Sequence, residues 1–144
     1  MSWSYVYGYR TDAFGGRKPS TIADFFDLRN FPGPRALPRS AFGVVEMALL
    51  ADGVPPDDVY RVLSTDEGLE RAFAKLDTIR PAVAMFWTAF SQAPQLLVDG
   101  EVVMSIAANG RIDLAKQAGM PVDLVWDGQV LDYGFLTIPT GLPD

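Results

Sequence analysis

The stretch Glu101-Val-Val-Met-Ser-Ile-Ala-Ala-Asn-Gly-Arg111 constrains the fold more than any other. Its uncharged run over 102–108 reads as a buried strand. The run stops at Asn109-Gly110, and Arg111 opens a helix. In open α/β sheets, small ligands sit beyond the carboxyl ends of such strands. A second apolar run over 130–139 carries a lone Asp132. One cation and one anion near strand ends point to a site for a small polar solute.

The rest of the chain alternates in the same way. Aromatic and small residues over 3–9 predict a strand with Tyr5, Tyr7 and Tyr9 on one face. A helix is predicted over 19–28 with Pro19 in its first turn. Phe31-Pro-Gly-Pro34 is a turn, and residues 35–37 a short strand. Helices follow over 40–51 and 55–63. Ser64 and Glu67 fit a capping box that opens another helix, which Pro81 ends. A buried strand over 82–86, a helix over 90–98, the strand over 102–108 and a helix over 110–118 come next. Strands over 122–126 and 130–139 flank Asp127-Gly128, a turn signal. Strands alternating with helices predict an α/β fold: a central mixed, mostly parallel sheet with helices on both faces.

Composition narrows the function. The 144 residues fit one domain, 1–144. Net charge is −6, with no basic run, which argues against nucleic acid as a partner. There is no cysteine and no histidine. The commonest general base is therefore missing, and so are thiolate metal sites. Gly15-Gly16 lacks the Lys-Ser/Thr of a phosphate loop. Asp57-Asp58 is a solvated helix start rather than a metal site. The expectation is no enzyme activity, no cofactor and no metal.

Several phrases carry a resemblance. Ser20-Thr-Ile-Ala-Asp-Phe-Phe-Asp27 followed by Phe31-Pro-Gly33 resembles a passage of periplasmic solute-binding proteins of the spermidine/putrescine type. So do Gln95-Leu-Leu-Val-Asp-Gly-Glu-Val102, Asn109-Gly-Arg111, Gly119-Met-Pro-Val-Asp123, and Leu131-Asp-Tyr133 with Ile138-Pro139. The ordered set covers essentially the whole chain. The resemblance implies two α/β lobes of type II periplasmic binding-protein form, with solute held between them. This chain resembles the inserted second lobe, without the first. The partners implied are the missing first lobe and an ABC-transporter membrane permease. The location implied is periplasmic or extracellular. An isolated lobe is expected to bind weakly, because closure buries most of a ligand. Its uncovered cleft face favours a homodimer.

The sequence departs from the polyamine pattern. Acidic positions at the helix start after Arg35-Ala-Leu37 are here Ser40 and Gly43. The aromatic position before Asn109 is Ala108, and the carboxylate of the last strand falls nearer Gly134, two residues after Asp132. With fewer anions and the added Arg111, a zwitterion fits better than a dication: guanidinium to carboxylate, Asp132 to ammonium. The expected solute is polyamine-like or amino-acid-like, for example an ω-amino acid. The candidate ligand-binding residues are Arg111, Asp132, Tyr133, Asn109, Ser40, Trp87 and Thr88. Each also has a plainer reading. Arg111 reads equally as a solvated helix start, Asp132 as structurally paired, and Asn109 as a local backbone partner. Tyr133 and Trp87 read as rim or core aromatics, and Ser40, Thr88 and Ser91 as helix caps. Two other functions stay open: a small flavodoxin-like α/β enzyme and a self-associating scaffold.

Overall fold

In the computed structural model, which describes residues 2–137 and 140–141, five strands form one sheet in the order β3-β2-β4-β1-β5. The strands are β1 (Ser2–Arg10), β2 (Arg35–Pro38), β3 (Val83–Trp87), β4 (Met104–Ala108) and β5 (Val122–Tyr133). β2 pairs in parallel with both β3 and β4. β1 is antiparallel to both β4 and β5. The sheet is therefore mixed, as the alternation implies.

Six α-helices cover it: α1 (Ile22–Phe26), α2 (Val44–Ala51), α3 (Val59–Leu63), α4 (Asp66–Asp77), α5 (Gln92–Val98) and α6 (Asn109–Gln117). α5 and α6 pack on β1 and β4; α1 and α2 meet β5, and α3 and α4 pack with α2. The strand period places the two helical layers. Tyr5, Tyr7 and Tyr9 share one face of β1, and Tyr7 donates a 2.8 Å hydrogen bond to the Thr21 carbonyl just before α1. Gly8 points the other way. A Cβ there would lie 2.8 Å from Ile112 Cδ1 on α6, so the missing side chain is what lets α6 sit close.

Several boundaries differ from the sequence expectation. α1 begins at Ile22, so Pro19 precedes the helix instead of lying in its first turn. The Asp24 carboxylate takes the Ser20 and Thr21 amides at 2.7 and 3.0 Å, and this sets the start. Residues 40–43 form a turn before α2, with Gly43 at φ +81°. The cap of α4 is Thr65, whose hydroxyl accepts from Gly68 N at 3.0 Å; Ser64 instead donates to the Arg61 carbonyl. The strand expected as buried over 82–86 is the outer strand β3, and Met85 and Phe86 are exposed.

The largest correction concerns 122–133. Asp127-Gly128 does not close a hairpin: it bulges out of one long strand, β5. Tyr5 faces Val130 and Tyr7 faces Val125, so the residues between them on β5 leave the ladder. The Asp127 carboxylate caps α1 through Ile22 N at 2.7 Å. Gly128, at φ +73°, passes where a Cβ would sit 2.5 Å from Ile22 Cβ. Asp-Gly serves here as a helix clamp. Ile138-Pro139 lies outside the described residues.

Arg35, at the start of β2, is fully buried. It donates to the carbonyls of Phe25, Phe31 and Gly33 at 3.2, 2.6 and 2.9 Å. Burial pushes its guanidinium down to about 10. It ties α1 and the Phe31-Pro-Gly-Pro34 turn to the sheet.

Candidate functional site

β2, β3, β4 and β5 run in one direction and β1 against them. Their carboxyl ends, with the amino end of β1, make one rim. Ser40, Trp87, Thr88, Asn109, Arg111, Asp132 and Tyr133 all lie on that rim or within a turn of it.

They do not converge equally. Asn109 is committed locally: its Oδ1 accepts from Ser4 N at 3.0 Å, binding the start of α6 to β1. Trp87 is 3% exposed and its indole donates to the Ile106 carbonyl at 3.1 Å, so it underlies the rim. Thr88 and Ser91 do not cap α5. Instead Gln92 Oε1 takes the Thr88 and Ala89 amides at 2.8 and 2.9 Å. Ser40 is exposed, with its Oγ accepting from Phe42 N at 3.3 Å. It lies toward the β3 side, on an apolar groove of about 640 Å³ shared with Val44, Phe73 and Phe86.

Arg111 stands in the first turn of α6 and lines a hollow of about 280 Å³ with Ser91 and Gln95 of the α5 region. Asp132 takes no part in that hollow. It is half-buried on β5, opposite Trp3, and among the described residues its carboxylate accepts from Tyr133 N at 2.7 Å. Tyr133 is exposed. Neither Arg111 nor Asp132 belongs to any of the ion pairs among the described residues. Among the described residues the rim therefore carries unpaired charges of both signs, with Arg39, after β2, a further unpaired cation. Asp132 stands on β5 and Arg111 at the start of α6, the helix that follows β4, with β1 between the two strands.

The start of α6 adds to the positive pole. Its flanking residue Ala108 offers no side-chain cap, and a Cβ on Gly110 would meet nothing within 4 Å. The first turn of this nine-residue helix, which holds Arg111, thus has no side-chain cap on its amides. α2 and α5 are different. Gly43 N goes to Glu46 Oε2 at 2.7 Å, and Gln92 serves α5. Among the described residues, no group of three or more Asp or Glu side chains can hold a metal.

Along the rim lies an aromatic floor, of which sequence reasoning singles out only Trp87 as a ligand contact. Trp3 contacts Tyr5 and Phe90 at centroid distances of 4.7 and 5.0 Å. Tyr5 contacts Phe42 at 5.6 Å, and Trp87 contacts Phe90 at 5.6 Å. Rings at these distances are packed on one another, so the group is a platform and no cation fits between its members. Phe42 and Phe90 each remain more than one-third exposed. Burial first, and then the fields of Asp132 and Glu46, hold the Tyr5 proton above the usual phenol range. Tyr60 is shifted the same way by burial, Glu46 and Asp132. The negative pole is therefore wider than Asp132 alone.

A polar solute rim beyond the strand ends of a mixed α/β lobe is the architecture of ligand-capturing proteins. Comparison with known proteins agrees. The family described as bacterial extracellular solute-binding protein matches residues 1–144, and the chain belongs to that family. It is similar to the gamma-aminobutyric acid-binding protein of Pseudomonas aeruginosa, with 44% identity over 99% of this chain and 40% of that protein. It is also similar to the spermidine/putrescine-binding periplasmic protein of Escherichia coli K12, with 30% identity over 94% of this chain and 38% of that protein. The crystal structure of the PBP MotA from A. tumefaciens B6 in complex with glucopine matches with a TM-score of 0.80 at 41% identity. That match covers 85% of this chain and 38% of the other. The chain thus spans about 40% of the curated relatives it matches. The family is one of non-catalytic solute capture.

Proposed function

We propose that this chain is the second lobe of a two-lobe periplasmic binding protein, and that it supplies one wall of the cleft for a small zwitterion of ω-amino-acid type. The observation that carries this reading is a pair of unpaired charges of opposite sign on one rim, Arg111 and Asp132. The carboxylate of the solute meets Arg111 and the uncapped amides of α6. Its ammonium turns toward Asp132, and its methylene chain lies over the platform of Trp3, Phe42 and Phe90. Poles carried by separate elements, with β1 between the strands that lead to them, suit a solute whose two charges are set apart by a spacer. The similarity to a gamma-aminobutyric acid-binding protein, higher than to the spermidine/putrescine-binding one, supports the same choice.

The opposing lobe closes over this rim and buries the solute. The exposed apolar residues Leu131, Tyr133, Phe135 and Leu136 on and beyond the end of β5 suit contact with that lobe. On this reading the whole protein delivers its solute to an ABC-transporter permease from a periplasmic or extracellular location. Calorimetry of the complete binding protein with γ-aminobutyrate, putrescine and spermidine tests the ligand class. γ-Aminobutyrate is expected to bind most tightly. A preference for putrescine, or silence with all three, contradicts the proposal.

A further inference from the structure

Resting on the zwitterion reading, we infer that Glu46 is a specificity-determining residue of the amine pole, whose buried charge favours an ammonium end over a neutral one without touching the solute.

Glu46 is 4% exposed and forms no ion pair among the described residues. A buried carboxylate without a cation is costly, and hydrogen bonds from Gly43 N and the Tyr60 hydroxyl relieve only part of that cost. The placement directs its field to the rim. Gly43 lies against the Tyr5 ring, where a Cβ would come within 2.9 Å, so Glu46 sits just behind the platform. On its other side Glu46 lines a hollow of about 230 Å³ with Tyr60, Gln129 and Leu131. Leu131 precedes Asp132 on β5, so this hollow runs up to the negative pole. The Tyr5 and Tyr60 phenols face both carboxylates, which hold their protons firmly. An ammonium at Asp132 is thus drawn by a second charge that low exposure keeps from being screened by salt. The position gives no sign of this in sequence, since a Glu three residues into a helix reads as a cap.

The cap role and the charge role separate experimentally. Glu46→Gln keeps an oxygen for Gly43 N and removes the charge, whereas Glu46→Ala removes both. The complete binding protein is titrated with γ-aminobutyrate and with 4-hydroxybutyrate, which differ only in the charged end. Glu46→Gln is expected to weaken γ-aminobutyrate by roughly fivefold and to leave 4-hydroxybutyrate unchanged, with a thermal midpoint no lower than that of the wild type. Glu46→Ala weakens both, because the platform loses its support. If Glu46→Gln binds both as the wild type does, or loses both equally, the charge role is overturned. If the wild type itself binds neither, the zwitterion reading fails and the inference falls with it.

Discussion

The two ends of the sheet are built to different standards. On the β5 side, Gly8 and Gly128 admit close helix contacts, aromatic rings interlock, and Asp127 and Asn109 stitch helix starts to strands. On the β3 side, Met85, Phe86 and Phe73 of α4 are exposed, and an apolar groove of about 640 Å³ lies open. A strand paired in parallel is normally covered on both faces. The lesson is that a roomy groove need not be the candidate site. The groove is walled mainly by aliphatic and aromatic side chains, whereas Asp132 stands on β5 and the platform is centred on Trp3 and Tyr5 of β1. Precise placement of polar groups needs a supporting layer that does not yield.

The difference can be probed by substitution, beginning with the largest expected effect. Gly128→Ala combines a positive φ with a Cβ driven against Ile22, and is expected to cost about 2–3 kcal/mol in urea unfolding. A cost near zero would mean that the bulge is loose and the β5 side is not the rigid one. Next comes the rim. Arg111→Ala should weaken γ-aminobutyrate at least about tenfold while sparing putrescine, read by calorimetry on the complete protein. Asp132→Asn should weaken both. Equal loss for both ligands on Arg111→Ala would place that side chain outside the carboxylate pole.

Alkaline pH offers a smaller effect. Unfolded tyrosines ionise near pH 10, whereas Tyr7 in the fold keeps its proton well above that. Burial is the main cause. A raised folded value means stability is fully present below about pH 10 and is lost as pH climbs beyond it. Arg35 works in the opposite direction above about 10, because its folded value lies below its unfolded one. Tyr7→Phe should cost about 1 kcal/mol at neutral pH through the lost bond to Thr21, and should flatten the alkaline decline. The smallest change is expected at the β3 side. Phe86→Gln, at an exposed position, should alter stability by less than about 0.5 kcal/mol and leave solute binding unchanged.

Much of this organisation is legible in the sequence. The run over 102–108 does hold the buried strand β4, and Asn109-Gly110-Arg111 opens a helix as periodicity implies. The misses share a physical cause, because local signals carry no information about what stands across the sheet. Asp-Gly reads as a hairpin turn unless a distant helix start, here α1, claims its carboxylate. The strand at 83–87 has the composition of a buried one, and only strand order shows it to be at the edge. Phe42 and Phe90 fit helical apolar stripes in sequence but fall in turns, where they meet Trp3 and Tyr5. Thr88 is a plausible cap by type, yet Gln92 from the following turn takes that role.

A crystal structure of the complete protein grown with γ-aminobutyrate tests the central claim most directly. The account predicts the solute carboxylate on the Arg111 guanidinium and the first amides of α6, its ammonium toward Asp132, and its chain over the ring platform. A solute lodged in the groove beside β3, or bound with its two charged ends reversed, would contradict it.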